Sequence, residues 1–299
     1  MQQSDTRRGI ALMVATTFVF AAQDGISAHL ASTYNVIMVV TIRYWFFALF
    51  VVAYAASHSG LRASARSARP WLQIFRGVLL VAEICVMVLA FAVLGLVESH
   101  AVFACYPLLV AALSVPVLGE RVGPRRWIAI GIGFAGVLVI LSPGSGVFSP
   151  WAVVPLISAL MFALYGLLTR LAAREDEAIT SFFWTGVAGV AAITPVGLFF
   201  LEPMTGPDYA WMAVLCVTGA LGHFLLIKAY EAAEASAIQP LAYLQLVFAS
   251  LIGVTLLSED ITPRVLLGAA IVVCAGLFTL LRARRRTVDL ARPGAHTKG

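Results

Sequence analysis

Ionisable side chains interrupt several long apolar segments of this sequence. An ionisable group at the depth of a bilayer costs about 2.5–3.5 kcal/mol on insertion scales, so each one is expected to face a partner or a wet cavity. Groups of both signs could bind a zwitterionic substrate, and the acids and histidines could carry a proton. The residues in question are Asp24, Arg43, Arg76, Glu83, His223 and Lys228.

Simpler interpretations of these groups stay open. Asp24 and Arg43 could form a structural ion pair, and Arg76 could extend its guanidinium from a helix end to the membrane surface. Arg76 and Glu83 are seven residues apart, so they lie on one face of a helix. Glu98 and His100, near the outer end of a predicted helix, are expected to contact water.

Prolines with polar or aromatic neighbours indicate two further helices that face a cavity. Pro107 and Pro240 each fall inside an apolar segment. Proline interrupts helical hydrogen bonding, and an interrupted helix at membrane depth is tolerated mainly where protein or a cavity satisfies it. For each aromatic residue, ordinary packing is the alternative. The candidates for the cavity wall are Tyr106, Phe162, Tyr165, Tyr243 and Gln245.

Other chemistries lack their motifs. The sequence contains no GxxxxGK[ST] phosphate loop and no HExxH or similar metal-ligand spacing. No constellation of nucleophile and base emerges, which disfavours an enzyme. The segment Gly131–Gly136 matches the GxGxxG pattern, but it lies in an apolar run without a preceding strand and indicates helix packing. We therefore predict no catalytic residue, no metal and no cofactor.

The composition predicts an all-α integral membrane protein. Hydrophobic residues make up 61% of the 299 residues and charged residues 12%, against about 25% charged in a soluble domain. A helix of about 20 apolar residues crosses a bilayer. The predicted spans are 9–28, 36–56, 71–93, 99–118, 125–142, 150–171, 179–201, 209–231, 236–257 and 264–282.

The distribution of basic residues predicts the topology. Arginine and lysine cluster on alternate connections and in the C-terminal tail, which places both termini in the cytoplasm under the positive-inside rule. The net charge of +5 is dispersed in short clusters without interleaved aromatic residues, so no nucleic-acid partner is expected.

The two halves of the chain resemble each other at an interval of about 140 residues. FAGVLVIL at 134–141 aligns with CAGLFTLL at 274–281. Five helices per copy force the second copy to enter the membrane from the opposite side, which is the inverted repeat of many transporters. We predict a cytoplasmic N-terminus (1–8), a first repeat (9–142), a second, inverted repeat (150–282) and a basic cytoplasmic tail (283–299).

An acidic residue followed four positions later by proline recurs at the same interval. Glu120 with Pro124 aligns with Glu259 with Pro263, and we predict that these four residues are structural connectors. A direct role of Glu120 in transport is the alternative.

The run LGERVGPRRWIAIGIGFAGVLVILSPG at 118–144, with its echo at 256–281, resembles the EamA-type repeats of the drug/metabolite transporter (DMT) superfamily. The resemblance covers essentially the whole chain and implies ten helices, the inner membrane and a central cavity. Glu83-Ile84-Cys85, Tyr106-Pro107 and Tyr243 are similar to elements of the YddG-like aromatic amino-acid exporters. Asp24 and Arg43 also resemble residues of those branches of the superfamily that transport S-adenosylmethionine or riboflavin.

We therefore expect a secondary transporter that exports aromatic or broadly hydrophobic amino acids by alternating access. Transport of another metabolite, such as S-adenosylmethionine or riboflavin, is the first alternative, and a membrane scaffold or sensor without transport is the second. The expected partners are the small-molecule substrate and membrane lipid. Glycine-bearing helices could also pack between two copies, so a homodimer stays open.

Overall fold

The computed structural model describes residues 2–119, 122–141, 150–232 and 238–291, and every regular element in these ranges is helical. Short 3₁₀ segments cover Pro150–Ala152, Leu198–Phe200 and Gln239–Tyr243. The α-helices are α1 (Gln2–Ala31), α2 (Val36–His58), α3 (Leu61–Ala65), α4 (Pro70–Leu94), α5 (Leu96–Phe103), α6 (Tyr106–Leu118), α7 (Pro124–Leu141), α8 (Val153–Ala172), α9 (Ala178–Gly197), α10 (Gly206–Ala232), α11 (Leu244–Leu256) and α12 (Pro263–Ala291).

Eight helical segments in the described ranges are long and apolar enough to cross a membrane. Two shorter apolar helices, Pro240–Leu256 and Pro263–Thr279, complete a set that coincides with the ten predicted spans. The protein is therefore an all-α, multi-pass membrane protein, as its composition predicts. The count of ten crossings and the cytoplasmic position of both termini stay predictions.

Residues with special backbone properties set the helix ends. The side chain of Asn35 caps α2 by accepting a hydrogen bond from the Ile37 N–H at 2.8 Å. Pro70 begins α4, where its missing N–H costs nothing. Gly95 ends α4 with φ of +90°, a conformation that residues with a Cβ atom rarely adopt, and the chain turns directly into α5.

The two predicted helix interruptions are present. The fourth span divides at Ala104–Cys105 into α5 and α6, with Pro107 in the first turn of α6. The ninth span begins as a 3₁₀ segment that contains Pro240 and continues as α11. At the first interruption the backbone remains hydrogen-bonded, because the Ala104 N–H donates to the carbonyl oxygen of His100 and the Cys105 N–H to that of Val102.

Several contacts between helices occur twice. A contact between two helices recurs between their equivalents when the first and second halves of the chain are exchanged. Helix α1 packs along α10, and its counterpart α8 packs along α4. Likewise α1 contacts α11 while α8 contacts α6, and α4 contacts α9 while α10 contacts α2. Three further contacts, α2 with α9, α5 with α11 and α7 with α12, join equivalent helices of the two halves. The predicted pair of inverted repeats accounts for this pattern and stays a prediction.

Glycines bring α7 and α12 into backbone contact. A Cβ atom added to Gly136 would lie 2.9 Å from the carbonyl oxygen of Gly268, and one added to Gly268 would lie 2.6 Å from that of Gly136. The glycine pattern of α7 therefore serves helix packing, as small residues in membrane helices usually do.

Candidate functional site

Glu83 is a buried carboxylate near the middle of α4, with 4% of its surface exposed. Its Oε1 atom accepts a hydrogen bond from Ser158 Oγ on α8 at 2.6 Å. Among the described residues, no cation lies within ion-pair distance of it. Asp24 and Arg43 are near enough to influence it electrostatically. The carboxylate is thus held by one neutral hydroxyl and lacks a counter-charge in direct contact.

A row of aromatic rings extends from Ser158 across α8, α5 and α6. Phe162 lies one turn after Ser158, on the same face of α8. Its ring centroid is 5.5 Å from that of Phe103, 5.1 Å from that of Tyr106 and 6.1 Å from that of Tyr165. Three of the predicted wall residues therefore lie together, one to two turns along α8 from the serine that contacts Glu83, and Phe103 joins them.

Arg43 on α2 faces a small cavity that Ile84 of α4 also lines. The arginine is 6% exposed, and its Nη2 atom donates to the Gln23 Oε1 atom at 3.2 Å. The ring of His223 packs against Phe20 and Phe47, with centroid separations of 5.3 and 5.2 Å. The cavity is lined by Arg43, Tyr44, Phe47, Ile84, Gly219 and His223.

Asp24 pairs with His100, so the predicted alternative of an ion pair with Arg43 is wrong. Its Oδ2 atom lies 3.2 Å from His100 Nε2 and accepts from Gln245 Nε2 at 3.0 Å. His100 Nδ1 lies 3.0 Å from the carbonyl oxygen of Leu96. This contact group joins α1, α5 and α11.

His100 is 3% exposed, so the prediction that it contacts water is wrong as well. The sequence indicated only its place near a helix end. Two other helices cover the imidazole of His100. Asp24 contacts it from α1, and the ring of Phe91 on α4 stacks on it with a centroid separation of 5.2 Å. Glu98 remains half-exposed and lies 3.8 Å from Arg264.

Arg76 is 1% exposed, so its guanidinium is enclosed by neighbouring helices. Its guanidinium donates to Gln73 Oε1, to the Tyr165 hydroxyl at 3.0 Å, to Thr169 Oγ1 at 3.1 Å and to the carbonyl oxygen of Ser181. These acceptors belong to α4, α8 and α9. Arg76 therefore joins three helices, and its donors are engaged.

Tyr243, another predicted wall residue, points toward α12. Its hydroxyl occupies the space beside Gly276, where an added Cβ atom would lie 1.6 Å from it. Among the described residues this buried hydroxyl has no hydrogen-bond partner. Tyr243 is thus separated from the group formed by Asp24, His100 and Gln245.

The acidic connector of the second half caps a helix of the first. Glu259 accepts hydrogen bonds from the Leu96 N–H at 2.6 Å and the Val97 N–H at 2.8 Å, which are free donors at the start of α5. Pro263 and Pro124 begin α12 and α7. Glu120 lies outside the described residues.

A second polar cluster connects the turn between α8 and α9 with the start of α4. Asp176 accepts hydrogen bonds from Ser67 Oγ at 2.5 Å, the Ala68 N–H at 2.8 Å and Gln73 Nε2 at 2.8 Å. Partial burial tends to raise the pKa of Asp176, but these hydrogen bonds and the charge of Arg76 together hold it below its ordinary value.

Several of these residues were missed in the sequence. Ser158, Gln23 and Asp176 are ordinary polar residues whose partners lie 20 to 109 positions away. One available signal was the spacing of Ser158, one turn before Phe162 on the same helical face.

Comparison with known proteins places this architecture in one family. The EamA-like transporter family matches residues 7–142 and 149–281. A solved structure titled "Crystal structure of protein" has a TM-score of 0.62 and 18% identity, covering 95% of this chain and 100% of that chain, which shows likeness of fold alone.

Two curated relatives have transport names. The S-adenosylmethionine uptake transporter of Rickettsia felis is 24% identical over 93% of this chain and 94% of its own length. The riboflavin transporter of Rhizobium johnstonii is 29% identical over 75% of this chain and 74% of its own length. These relatives are bacterial, and a multi-pass protein of this kind fits the inner membrane. The chain belongs to the EamA-like transporter family.

Proposed function

We propose that this protein is a secondary transporter that exports aromatic or broadly hydrophobic amino acids by alternating access. The observation that carries the proposal is the Glu83 carboxylate, buried without a cation in contact and bonded to a serine one to two turns along α8 from a row of aromatic rings. A carboxylate accepts hydrogen bonds from an ammonium group, and aromatic rings bind apolar and planar groups by stacking and edge contacts. An aromatic amino acid carries both groups.

S-adenosylmethionine is the second candidate substrate. It combines an amino-acid head with a sulfonium cation and a planar adenine ring, so it suits the same carboxylate and aromatic row. The name of the Rickettsia relative supports this candidate, which differs from an aromatic amino acid in its extra positive charge, its ribose and its larger size. Riboflavin has a planar ring but no ammonium group to match Glu83, so we rank it third.

Alternating access is supported by polar contacts near both ends of the helix bundle. Asp176 joins the turn between α8 and α9 to α4, while Glu259 joins the segment before α12 to α5. A carrier needs one set of contacts to open while the other remains closed, and two related halves can exchange these roles.

Uptake into proteoliposomes tests the proposal. We expect purified protein to transport labelled phenylalanine or tryptophan at least about tenfold faster than liposomes without protein, with S-adenosylmethionine competing. A panel in which only riboflavin moves would replace the proposed substrate class. A scaffold predicts fluxes equal to those of empty liposomes for every compound, and that result would reject transport.

A further inference from the structure

The substrate contacts proposed above involve Glu83 and the row of aromatic rings, and they do not involve the positive charge of Arg43. More than nine-tenths of this residue is buried, and its one hydrogen bond among the described residues goes to the neutral amide oxygen of Gln23. No carboxylate in the described part of the chain lies within ion-pair distance of it. Burying a guanidinium without a counter-charge is unfavourable. Arg43 in this environment therefore does not stabilise the fold, which argues against a purely structural role.

The surroundings of Arg76 offer a comparison within the same molecule. That guanidinium is also buried, but it donates to four different residues on three helices. A structural arginine in this protein is therefore surrounded by acceptors. Arg43 instead faces a cavity, with donors left free for a group that enters it.

The cavity has the chemistry of an anion site. The ring of His223 faces the same space from α10 and contacts the rings of Phe20 and Phe47 at an angle. Its nitrogens make no protein hydrogen bond among the described residues. Gly219 keeps the backbone of α10 close to the arginine, because an added Cβ atom would lie 3.0 Å from Arg43 Nε. Apolar walls from Phe47 and Ile84 reduce competition from water.

We infer that Arg43, with His223, forms a carboxylate subsite, so that the transported molecule carries an α-amino-acid head. This inference rests on the proposed function and extends it. A guanidinium can hold a carboxylate through two parallel N–H···O bonds. Ile84 lines this cavity, Glu83 precedes it on α4, and Arg43 is near enough to Glu83 to influence it electrostatically, so the two charges are placed to bind the two ends of one amino-acid head group.

If the inference is correct, the substrate must carry a carboxylate. Compounds without a carboxylate, such as phenylethylamine, lose the contact to Arg43, as does riboflavin. A free anion such as chloride offers the same charge as a carboxylate, so chloride and substrate must be separated in the experiment.

The test compares binding of phenylalanine and phenylethylamine to the full chain in nanodiscs, with chloride replaced by gluconate in a parallel series. The wild type is expected to bind phenylalanine at least about tenfold more tightly than phenylethylamine in both series. In Arg43→Gln this preference falls to less than about threefold, because phenylalanine loses its partner while phenylethylamine loses nothing. Arg43→Lys keeps the charge without the bidentate geometry and lies between the two.

Thermal unfolding keeps the inference testable when no ligand binds. Arg43→Met removes an uncompensated buried charge, so its Tm is expected to equal or exceed that of the wild type. Arg76→Met is the matched control and must lower Tm by several degrees, because it leaves the acceptors on α8 and α9 unpaired.

Three outcomes overturn the inference. A Tm loss in Arg43→Met equal to that of Arg76→Met would make Arg43 structural. Equal binding of phenylalanine and phenylethylamine by the wild type would remove the carboxylate subsite while leaving the proposed transport intact. A phenylalanine preference that disappears in gluconate would assign the cavity to chloride.

Discussion

Glu83 and Arg43 are two buried charges of opposite sign that face the interior without pairing with each other. Each is held by a neutral side chain, the hydroxyl of Ser158 for Glu83 and the amide of Gln23 for Arg43. Separated charges of this kind destabilise a fold, and they are retained where a ligand with the complementary charges completes them. At the scale of single residues, the proposed binding site therefore consists of buried charges that lack a counter-charge in direct contact.

Replacing Glu83 with glutamine tests the acidic half of this site. The amide accepts the Ser158 hydrogen bond but cannot balance an ammonium, so we expect phenylalanine transport to fall at least about tenfold while Tm is unchanged or raised. Glu98→Gln is the control, because Glu98 is half-exposed and lies near Arg264. Wild-type transport by Glu83→Gln in proteoliposomes would contradict the assignment.

Asp176 gives a pH-dependent contribution to stability outside the membrane spans. Its pKa is lowered in the folded protein, so the ionised carboxylate stabilises the fold at every pH above its unfolded value of about 3.9. That contribution is lost as the pH falls through the lowered folded pKa. Asp176→Asn should therefore reduce Tm by a few degrees at pH 7, and the difference should close below about pH 4.

Melting curves of the wild type and Asp176→Asn between pH 7 and pH 3 measure this effect. Glu177→Gln, at an exposed neighbouring position, is the control and should change Tm little at any pH. A constant difference between wild type and Asp176→Asn across the whole range would mean that the carboxylate charge is irrelevant.

At the scale of elements, His100 holds α5 against α1 and α11. One ring nitrogen faces the carbonyl oxygen of Leu96, which can only accept, and the other faces Asp24. The imidazole therefore couples α5 to α1 through its contact with Asp24.

A double-mutant cycle on Asp24 and His100 measures that coupling. Asp24→Ala and His100→Phe each leave a buried polar partner behind, and each should destabilise the protein by about 3 kcal/mol. The double variant should cost less than the sum by about 1–3 kcal/mol, because it removes both partners. Strictly additive losses of unfolding free energy would show that the two residues act independently.

The sequence predicted the helices and their interruptions better than it predicted the contacts between side chains. Each span is a local run of apolar residues, and Pro107 and Pro240 interrupt their helices by local backbone chemistry, so both could be predicted. The contacts of Glu259 and His100 could not, because their partners lie 163 and 76 residues away. Hydropathy predicts that a helix crosses the membrane, but the partners of its polar side chains belong to neighbouring helices.

The same limit applies to the candidate site. Residue types alone selected Asp24, Arg43, Arg76 and Glu83 as costly in a bilayer, and all four are polar contacts inside the bundle. Their partners were not predictable, so Arg76 was grouped with cavity residues although α8 and α9 occupy its donors. Only the packed structure distinguishes an arginine with acceptors from one without.

At the scale of the whole molecule, paired helix contacts relate the two halves, and polar contacts near each end hold them together. Transport by alternating access requires these contacts to separate in turn. Locking one end should therefore stop the cycle even though the central site is untouched.

A cross-link between Ser67→Cys and Asp176→Cys tests this requirement, because these side chains are in contact. The four native cysteines are replaced first, since Cys274 is exposed and could form other disulfides. Oxidation should reduce transport at least about tenfold, and a reductant should restore it. Each single-cysteine variant is the control. Undiminished transport by fully cross-linked protein would show that this end does not move.

Solute counterflow tests the central claim most directly, because it detects a carrier that binds its substrate on one side at a time. Proteoliposomes loaded with unlabelled phenylalanine are diluted into a trace of labelled phenylalanine, with phenylethylamine as the matched compound without a carboxylate. We predict that labelled phenylalanine accumulates transiently above its equilibrium level, and that phenylethylamine does not. The absence of any overshoot with phenylalanine, tryptophan and S-adenosylmethionine would contradict the account.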